Sequence, residues 1–160
     1  MGTPPSAPLR RDSPEDLLRY QPAESGQPPL RDFLHQAMER LEEGHHVYTQ
    51  VLDGRLVHYG WLFENIDRIF LPEAGRHLDV PAGSAFLCCS YTYPRFRGRG
   101  LEQASLRHRL ADATARPGDR YVYTLAPAGN ASACHSVEEL GFQYQFSLFR
   151  KTRLGILMLS

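Results

Sequence analysis

Tyr91-Thr92-Tyr93-Pro94-Arg95-Phe96-Arg97-Gly98-Arg99-Gly100-Leu101 is the stretch on which the reading of this chain turns. Upstream of it, Ser84 to Tyr93 is apolar and aromatic and ends at Pro94, the pattern of a largely buried central strand. Downstream, a helix is predicted from about Gly100 to Ala115, stopped by Pro117-Gly118. A strand thus passes through a tight turn with two glycines directly into a helix. The first N–H groups of a helix lack intrahelical partners and carry partial positive charge, which suits an anion. Glycine lets the backbone approach that anion without a Cβ in the way. Arg95, Arg97 and Arg99 add guanidinium groups that can reach phosphate oxygens. A solvated basic turn is the plain alternative; the two glycines and the following helix weigh against it. The residues point to a phosphate-bearing ligand.

Two familiar phosphate loops are excluded. A dinucleotide fingerprint requires a third glycine near position 103, where Gln103 stands, and a P-loop requires Gly-Lys-Ser/Thr, which is absent. Arg95-x-x-Gly98-x-Gly100 instead resembles the pyrophosphate motif of the GNAT acyltransferases, Gln/Arg-x-x-Gly-x-Gly/Ala. About thirty residues on, Asn130-Ala131-Ser132-Ala133 runs through to Glu138-Glu139-Leu140-Gly141-Phe142. This resembles the family's second signature, an Asn opening a helix that closes in Glu-Lys-Leu-Gly-Phe, with Glu139 in place of the usual Lys. The resemblance covers roughly residues 16 to 160.

The resemblance implies an α/β (α+β) GNAT-like fold: a central mixed, mostly antiparallel sheet flanked by helices and splayed between its two central strands. It implies acetyl-CoA, or another acyl-CoA, as cofactor, and acyl transfer to an amine acceptor by direct attack on the thioester. Backbone N–H groups from about Arg97 to Glu102, through Gly98, Arg99, Gly100 and Leu101, would cradle the pyrophosphate. Ser90, Tyr91 and Thr92 would pair with the pantetheine arm, and Asn130 would contact the cofactor near that end. Asn130 also suits a helix N-cap. A strand N–H near Cys89 or Ser90 would polarise the thioester carbonyl.

The match is weaker at the catalytic groups. Many members carry a Tyr four positions before the Gly-Phe pair, and Val137 stands there. Ser136, His135, Tyr91 and Tyr93 remain as proton donors. Glu64, near the end of a predicted strand, is the first candidate for general base, and His58 the second. Each has a plain structural alternative, Glu64 as a surface carboxylate above all. Tyr59, Trp61 and Phe63 alternate on one strand face, where core packing is the default; they would favour an apolar acceptor if that face lined the cleft.

Working outward, residues 1–15 read as a Pro-rich flexible tail and 16–160 as a single domain. Asp16 to Tyr20 reads as a short strand. Leu30, Phe33, Leu34, Ala37, Met38 and Leu41 fall at helical spacing, with Gly44 as terminator. Val47–Leu52 and Arg55–Phe63 flank Asp53-Gly54, a hairpin signal. Asp67–Leu71, Tyr121–Leu125, the alternating Phe142, Tyr144, Phe146 and Leu148, and Leu154–Leu159 read as further strands. Asn130–Leu140 reads as helix.

With 18 basic and 18 acidic residues the net charge is zero, which argues against general nucleic-acid binding. No apolar run suits a membrane span or a signal peptide. Three cysteines lack metal-ligand spacing, so no metal is expected; Cys88 and Cys89 should point to opposite faces of a strand, and all three read as buried. A reducing cytoplasm is the natural compartment. The partners expected are a small-molecule or protein amine acceptor, without membrane or nucleic acid, and a homodimer through the last strands stays open. A non-catalytic module that binds acyl-CoA or a protein without turnover is the alternative reading.

Overall fold

The computed structural model describes residues 8–118, 120–145, 150–152 and 155–157. Five strands form one mixed sheet in the order β1 (Arg10–Arg11), β2 (His46–Leu52), β3 (Arg55–Leu71), β4 (Arg76–Thr92), β5 (Val122–Thr124). All pairings are antiparallel except β4–β5, which is parallel. The helices are α1 (Pro14–Leu17), α2 (Leu30–Glu42), α3 (Leu101–Thr114) and α4 (Ala131–Glu139). A separate hairpin joins β6 (Arg150–Thr152) to β7 (Gly155–Leu157).

Alternation along β3 sorts the two layers. Leu56, Tyr59, Trp61 and Phe63 pack against Leu17, Phe33 and Ala37 of α1 and α2. Leu62, with Ala85 and Leu87 of β4, packs against Leu106 and Ala113 of α3 and the partly buried Val137, Leu140 and Phe142. The sheet is therefore covered by α2 on one side and by α3 and α4 on the other.

Turn chemistry follows the sequence. Asp53 and Gly54 both take positive φ (51° and 73°) and close the β2–β3 hairpin, as the Asp-Gly pair predicts. Gly44 and Gly141 end α2 and α4 in the left-handed region, with paired C-terminal bonds from Gly44 and His45 to Leu41 and Arg40, and from Gly141 and Phe142 to Glu138 and Val137.

Several boundaries differ from expectation. Within the stretch 1–15 expected as a tail, Arg10 and Arg11 pair with Thr49 and Tyr48. The strand expected at Asp16–Tyr20 is the helix α1 and the turn after it. Ser13 caps it by accepting from Asp16 N (3.3 Å), Pro14 opens it, and Glu15 and Asp16 sit in its first turn. Asp67–Leu71 is the end of β3, and β4 starts at Arg76, well before Ser84. Residues 142–145 carry no strand, and Phe146 and Leu148 lie outside the described residues. β2 pairs with β3 only as far as Leu62, and β5 with β4 only over Ala85–Leu87. The outer halves of β3 and β4, residues 66–71 and 76–84, thus form a two-stranded ribbon. It packs through Ile66, Ile69, Leu71 and Ala74 around Phe86.

The sheet is locked to α3 by a buried arginine. Arg109 is fully buried; its Nη1 donates to Trp61 O (3.4 Å), its Nε to Ser105 O (3.4 Å) and its Nη2 to Glu102 Oε1 (3.0 Å). The guanidinium lies flat on Gly60, where an added Cβ would be 2.7 Å from Cζ. Gly60 is thus required by close approach. Gly60→Ala should cost about 1–3 kcal/mol of stability, the usual range for overpacking, read as a lower urea midpoint at unchanged m-value.

Candidate active site

The turn identified from sequence is built as a bent, open platform. Pro94–Phe96 form a single 3-10 turn, Gly98 and Gly100 take φ of 77° and 79°, and Gly100 is the N-cap of α3. Their positions face open space: an added Cβ would meet no atom within 4 Å at either glycine. Glycine is needed here for the left-handed backbone. α4 is capped by the Asn130 side chain accepting from Ala133 N (3.0 Å), whereas α3 has no side-chain cap. Its first N–H groups have no side-chain partner, the arrangement in which a helix start can accept an anion.

The arginines divide. Arg97 is exposed but folded back on the turn: its Nε donates to Thr92 O (3.0 Å), its Nη2 pairs with Glu24 (3.2 Å) and its own N–H bonds Pro94 O (3.3 Å). Arg99 lies over the Phe96 ring at 5.0 Å. Arg95 is exposed and has no hydrogen bond or ion pair among the described residues. The free N–H platform therefore begins at Gly98, one residue later than expected. Glu102, in the first turn of α3, would repel an anion, but Arg109 neutralises it from below.

Beside this platform the sheet divides. Leu87↔Thr124 is the last β4–β5 pair, with the Thr124 hydroxyl donating to Leu87 O (2.9 Å), while β4 runs on to Thr92 held only by β3. The two strands part at the point where β4 bulges. Tyr59 faces Tyr91 and Trp61 faces Cys88, so Cys89 and Ser90 together oppose Gly60. Cys89 sits at φ 59°. No family model and no curated protein sequence matches the chain. Solved structures do. An aminoglycoside N-acetyltransferase, AAC(6')-Iy, in complex with CoA superposes with a TM-score of 0.61 at 19% identity over 91% of this chain and 99% of that one. An acetyltransferase from Trypanosoma brucei gives 0.60 at 19% over 92% and 97%. A transcriptional regulator from Bacillus halodurans C-125 gives 0.62 at 14% over 91% and 99%. The chain has the GNAT fold.

Within the GNAT fold, the remaining site residues fall in different places. Ser90, Tyr91 and Thr92 lie beyond the parting of β4 and β5, and Tyr91 donates its hydroxyl to Glu24 (2.8 Å). Burial and then Glu24 raise the Tyr91 pKa, so the phenol stays protonated at neutral pH. Ser136 is on α4, where its carbonyl accepts from Gln103 of α3 (3.5 Å). Val137, where the resemblance leads one to expect a tyrosine, is partly buried and packs against the cluster under α3.

Glu64 is elsewhere. It is buried on the α3 side of the sheet and bound by Arg120 (2.5 Å) and Arg116 (3.6 Å). Two guanidinium groups occupy the carboxylate, so its job is to clamp the start of β5 and the end of α3, and it is set aside as general base. His58 is fully buried on the same side, its Nδ1 2.8 Å from Thr92 Oγ1. Burial, then Arg109, pushes its pKa down to about 3, so it is a neutral fixture and a poor base. Tyr59, Trp61 and Phe63 are core, covered by α2 with Arg40 over Trp61 (5.0 Å) and Phe63 (5.3 Å). Depressions of about 520 Å³ beside α1 and 710 Å³ along α2 lie on other surfaces and lack the glycine turn.

Three contributors were invisible from sequence. Glu24 sits in a Pro/Gly-rich connection that carries no periodic signal, Arg109 reads as part of a polar helix face, and Cys89 owes its position to the bulge. No helix among the described residues is long and apolar enough to cross a membrane, and no cluster of three metal-binding side chains is present among them.

His58 sets a pH dependence. Its folded-state pKa lies below its ordinary value of 6.5, so the unfolded chain binds the extra proton between the two. The stability tied to its neutral state is complete above pH 6.5 and is lost as pH falls towards 3. His58→Asn should flatten the acid limb of a stability–pH curve over that interval; an unchanged slope would show that other groups set it.

Proposed function

We propose that this chain is an acyl-CoA-dependent N-acyltransferase that moves an acetyl or other acyl group to an amine. The observation that carries the proposal is the parting of β4 from β5 immediately before an uncapped helix that opens with glycine. That arrangement offers strand backbone to an extended amide-bearing arm, and free N–H groups to its phosphates, along one continuous path. The GNAT fold of the structural neighbours, one of them in complex with CoA, supports the same reading.

In this reading the N–H groups from Gly98 to Glu102 hold the pyrophosphate, with the side chains of Arg95 and Arg99 beside it. Arg97 serves by bracing the turn through Thr92 O and Glu24. Ser90, Tyr91 and Thr92 present the β4 edge to the pantetheine arm, and the Asn130 amide, whose oxygen is committed to the cap, keeps its NH₂ to donate. Bound acyl-CoA supplies an activated carbonyl to the attacking amine. The Tyr91 phenol is the donor best prepared to protonate the departing thiolate, since Glu24 holds it in place and its raised pKa keeps the proton on oxygen. Ser136 is the second donor, on α4. With Glu64 and His58 occupied, solvent is the simplest acceptor for the amine proton, and orientation supplies much of the rate.

The acceptor is proposed only as an amine, a small molecule or a protein. The non-catalytic reading is favoured by one observation: Val137, partly buried against the α3 cluster, stands where the resemblance leads one to expect a proton donor.

Titration calorimetry with acetyl-CoA on the wild type and on Gly98→Val tests the cofactor site. Micromolar binding lost in a folded variant is expected. A folded wild type that binds neither acetyl-CoA nor longer acyl-CoAs would overturn the proposal. Once an acceptor is found, Tyr91→Phe should lower kcat on the order of 100-fold, with KM for acetyl-CoA little changed; an unchanged kcat removes Tyr91 as the acid.

A further inference from the structure

Cys88 and Cys89 do not point to opposite faces. The β4 bulge places Cys89 at φ 59°, outside the extended conformation in which neighbours alternate, and both side chains come to the α2 side. Their sulfurs are 3.2 Å apart. Cys89 is exposed and Cys88 half-buried, so neither is the buried hydrophobe that the sequence suggests. Arg40 Nη2 stands 4.0 Å from Cys89 Sγ.

From this juxtaposition of sulfurs, bulge and guanidinium, we propose that Cys88 and Cys89 form a reversible dithiol–disulfide site, closed by a low-molecular-weight disulfide such as oxidised glutathione. The two thiols are unequal in a way that orders the steps. The hydrogen bond from Cys88, with Arg40 beside it, lowers the Cys89 pKa to about 7 against the opposing desolvation by the surrounding side chains. The Cys88 thiol is raised, first by that same hydrogen bond and then by burial, and stays protonated. Cys89 is therefore the attacking thiolate and Cys88 the resolving thiol.

Cys89 Sγ attacks one sulfur of the reagent, forming a mixed disulfide and expelling the first thiolate. That thiolate takes the Cys88 proton; Cys88 Sγ then attacks Cys89 Sγ and expels the second thiolate, which is protonated from solvent. Two cysteine thiols are oxidised, and one reagent disulfide is reduced to two thiols. Neighbouring Cα atoms are about 3.8 Å apart, nearer than the roughly 4.4–6.8 Å usual for a disulfide. The ring is therefore strained, and strained exposed disulfides are the readily reduced ones. The left-handed backbone at Cys89 has already brought the sulfurs to one side, which is the step an extended strand could not make.

Resting on the function proposed above, closure also has a consequence for binding. The bulge lies where the parted β4 edge would meet the acyl end of the cofactor, so a ring there reshapes that edge and weakens acyl-CoA binding.

Incubating the reduced chain with oxidised glutathione, alkylating with N-ethylmaleimide and mapping peptides by mass tests the site without any cofactor. The Cys88–Cys89 peptide should lose two hydrogens and resist alkylation, while Cys134 remains alkylated; dithiothreitol should restore both thiols. Cys88→Ser should stall at a glutathione adduct on Cys89. Alkylation of both cysteines, or a wild-type adduct that never resolves, would overturn the proposal. Acetyl-CoA titration of the closed form should then show at least tenfold weaker binding. Equal affinity of both forms overturns the effect on binding, whereas a reduced form that binds no acyl-CoA at all sinks the function and leaves the dithiol result standing.

Discussion

The guanidinium of Arg109 is the contact on which the rest of this fold depends. It is a full charge with no access to solvent, which costs several kcal/mol unless it is paired and hydrogen-bonded. Here the costs are met by Glu102, by two backbone carbonyls and by a face of Gly60 that no other residue could offer. One side chain thereby fixes the distance between α3 and β3, the orientation of the first turn of α3 and the identity of a strand residue 49 positions away in sequence. Removing it would leave Glu102 with only the His58 ring 3.7 Å away at the helix start, so its loss would be felt both in stability and at the anion platform.

The platform and the sheet's division belong to one design. A helix N-terminus attracts an anion only if nothing already satisfies it, and α3 lacks the side-chain cap that α4 has. The acidic residue in its first turn is compensated from inside, where the arginine is shielded from salt, and the exposed Arg95 is left outside. On the other flank, β5 is only three residues long, so β4 outruns it and keeps a free edge. The short β5 is anchored at its beginning by Glu64, Arg120 and Arg116 and at its end by Thr124, which fixes where the parting occurs.

What could be read from sequence was local. The glycine turn, the helix after it, the Asp-Gly hairpin and the Asn cap of α4 each rest on the conformational demands of a few adjacent residues, and all were legible. Helix α1 was legible too, in Ser13-Pro14-Glu15-Asp16, but the apolar Leu17 and Leu18 drew the reading towards a strand. The bulge was not, because an extra residue in β4 is defined by its partner in β3 and leaves no compositional mark; with it went the placement of both cysteines. Glu64 misled for the same reason. A carboxylate at a strand end looks available until Arg120, 56 residues on, is seen to hold it.

The ribbon formed by the outer halves of β3 and β4 has a different character from the sheet it extends. Two strands alone are marginal in water, and this pair is held by a small cluster around Phe86 while Phe70 stays half exposed. Its hydrogen bonds can open without disturbing Arg109 or the α3 layer. On that small cluster alone, local opening costs less in the ribbon than in the strands under α3, so its amides should exchange ahead of theirs. Such opening lies at the end of β4 away from the glycine turn, so the two ends of one strand answer to different contacts.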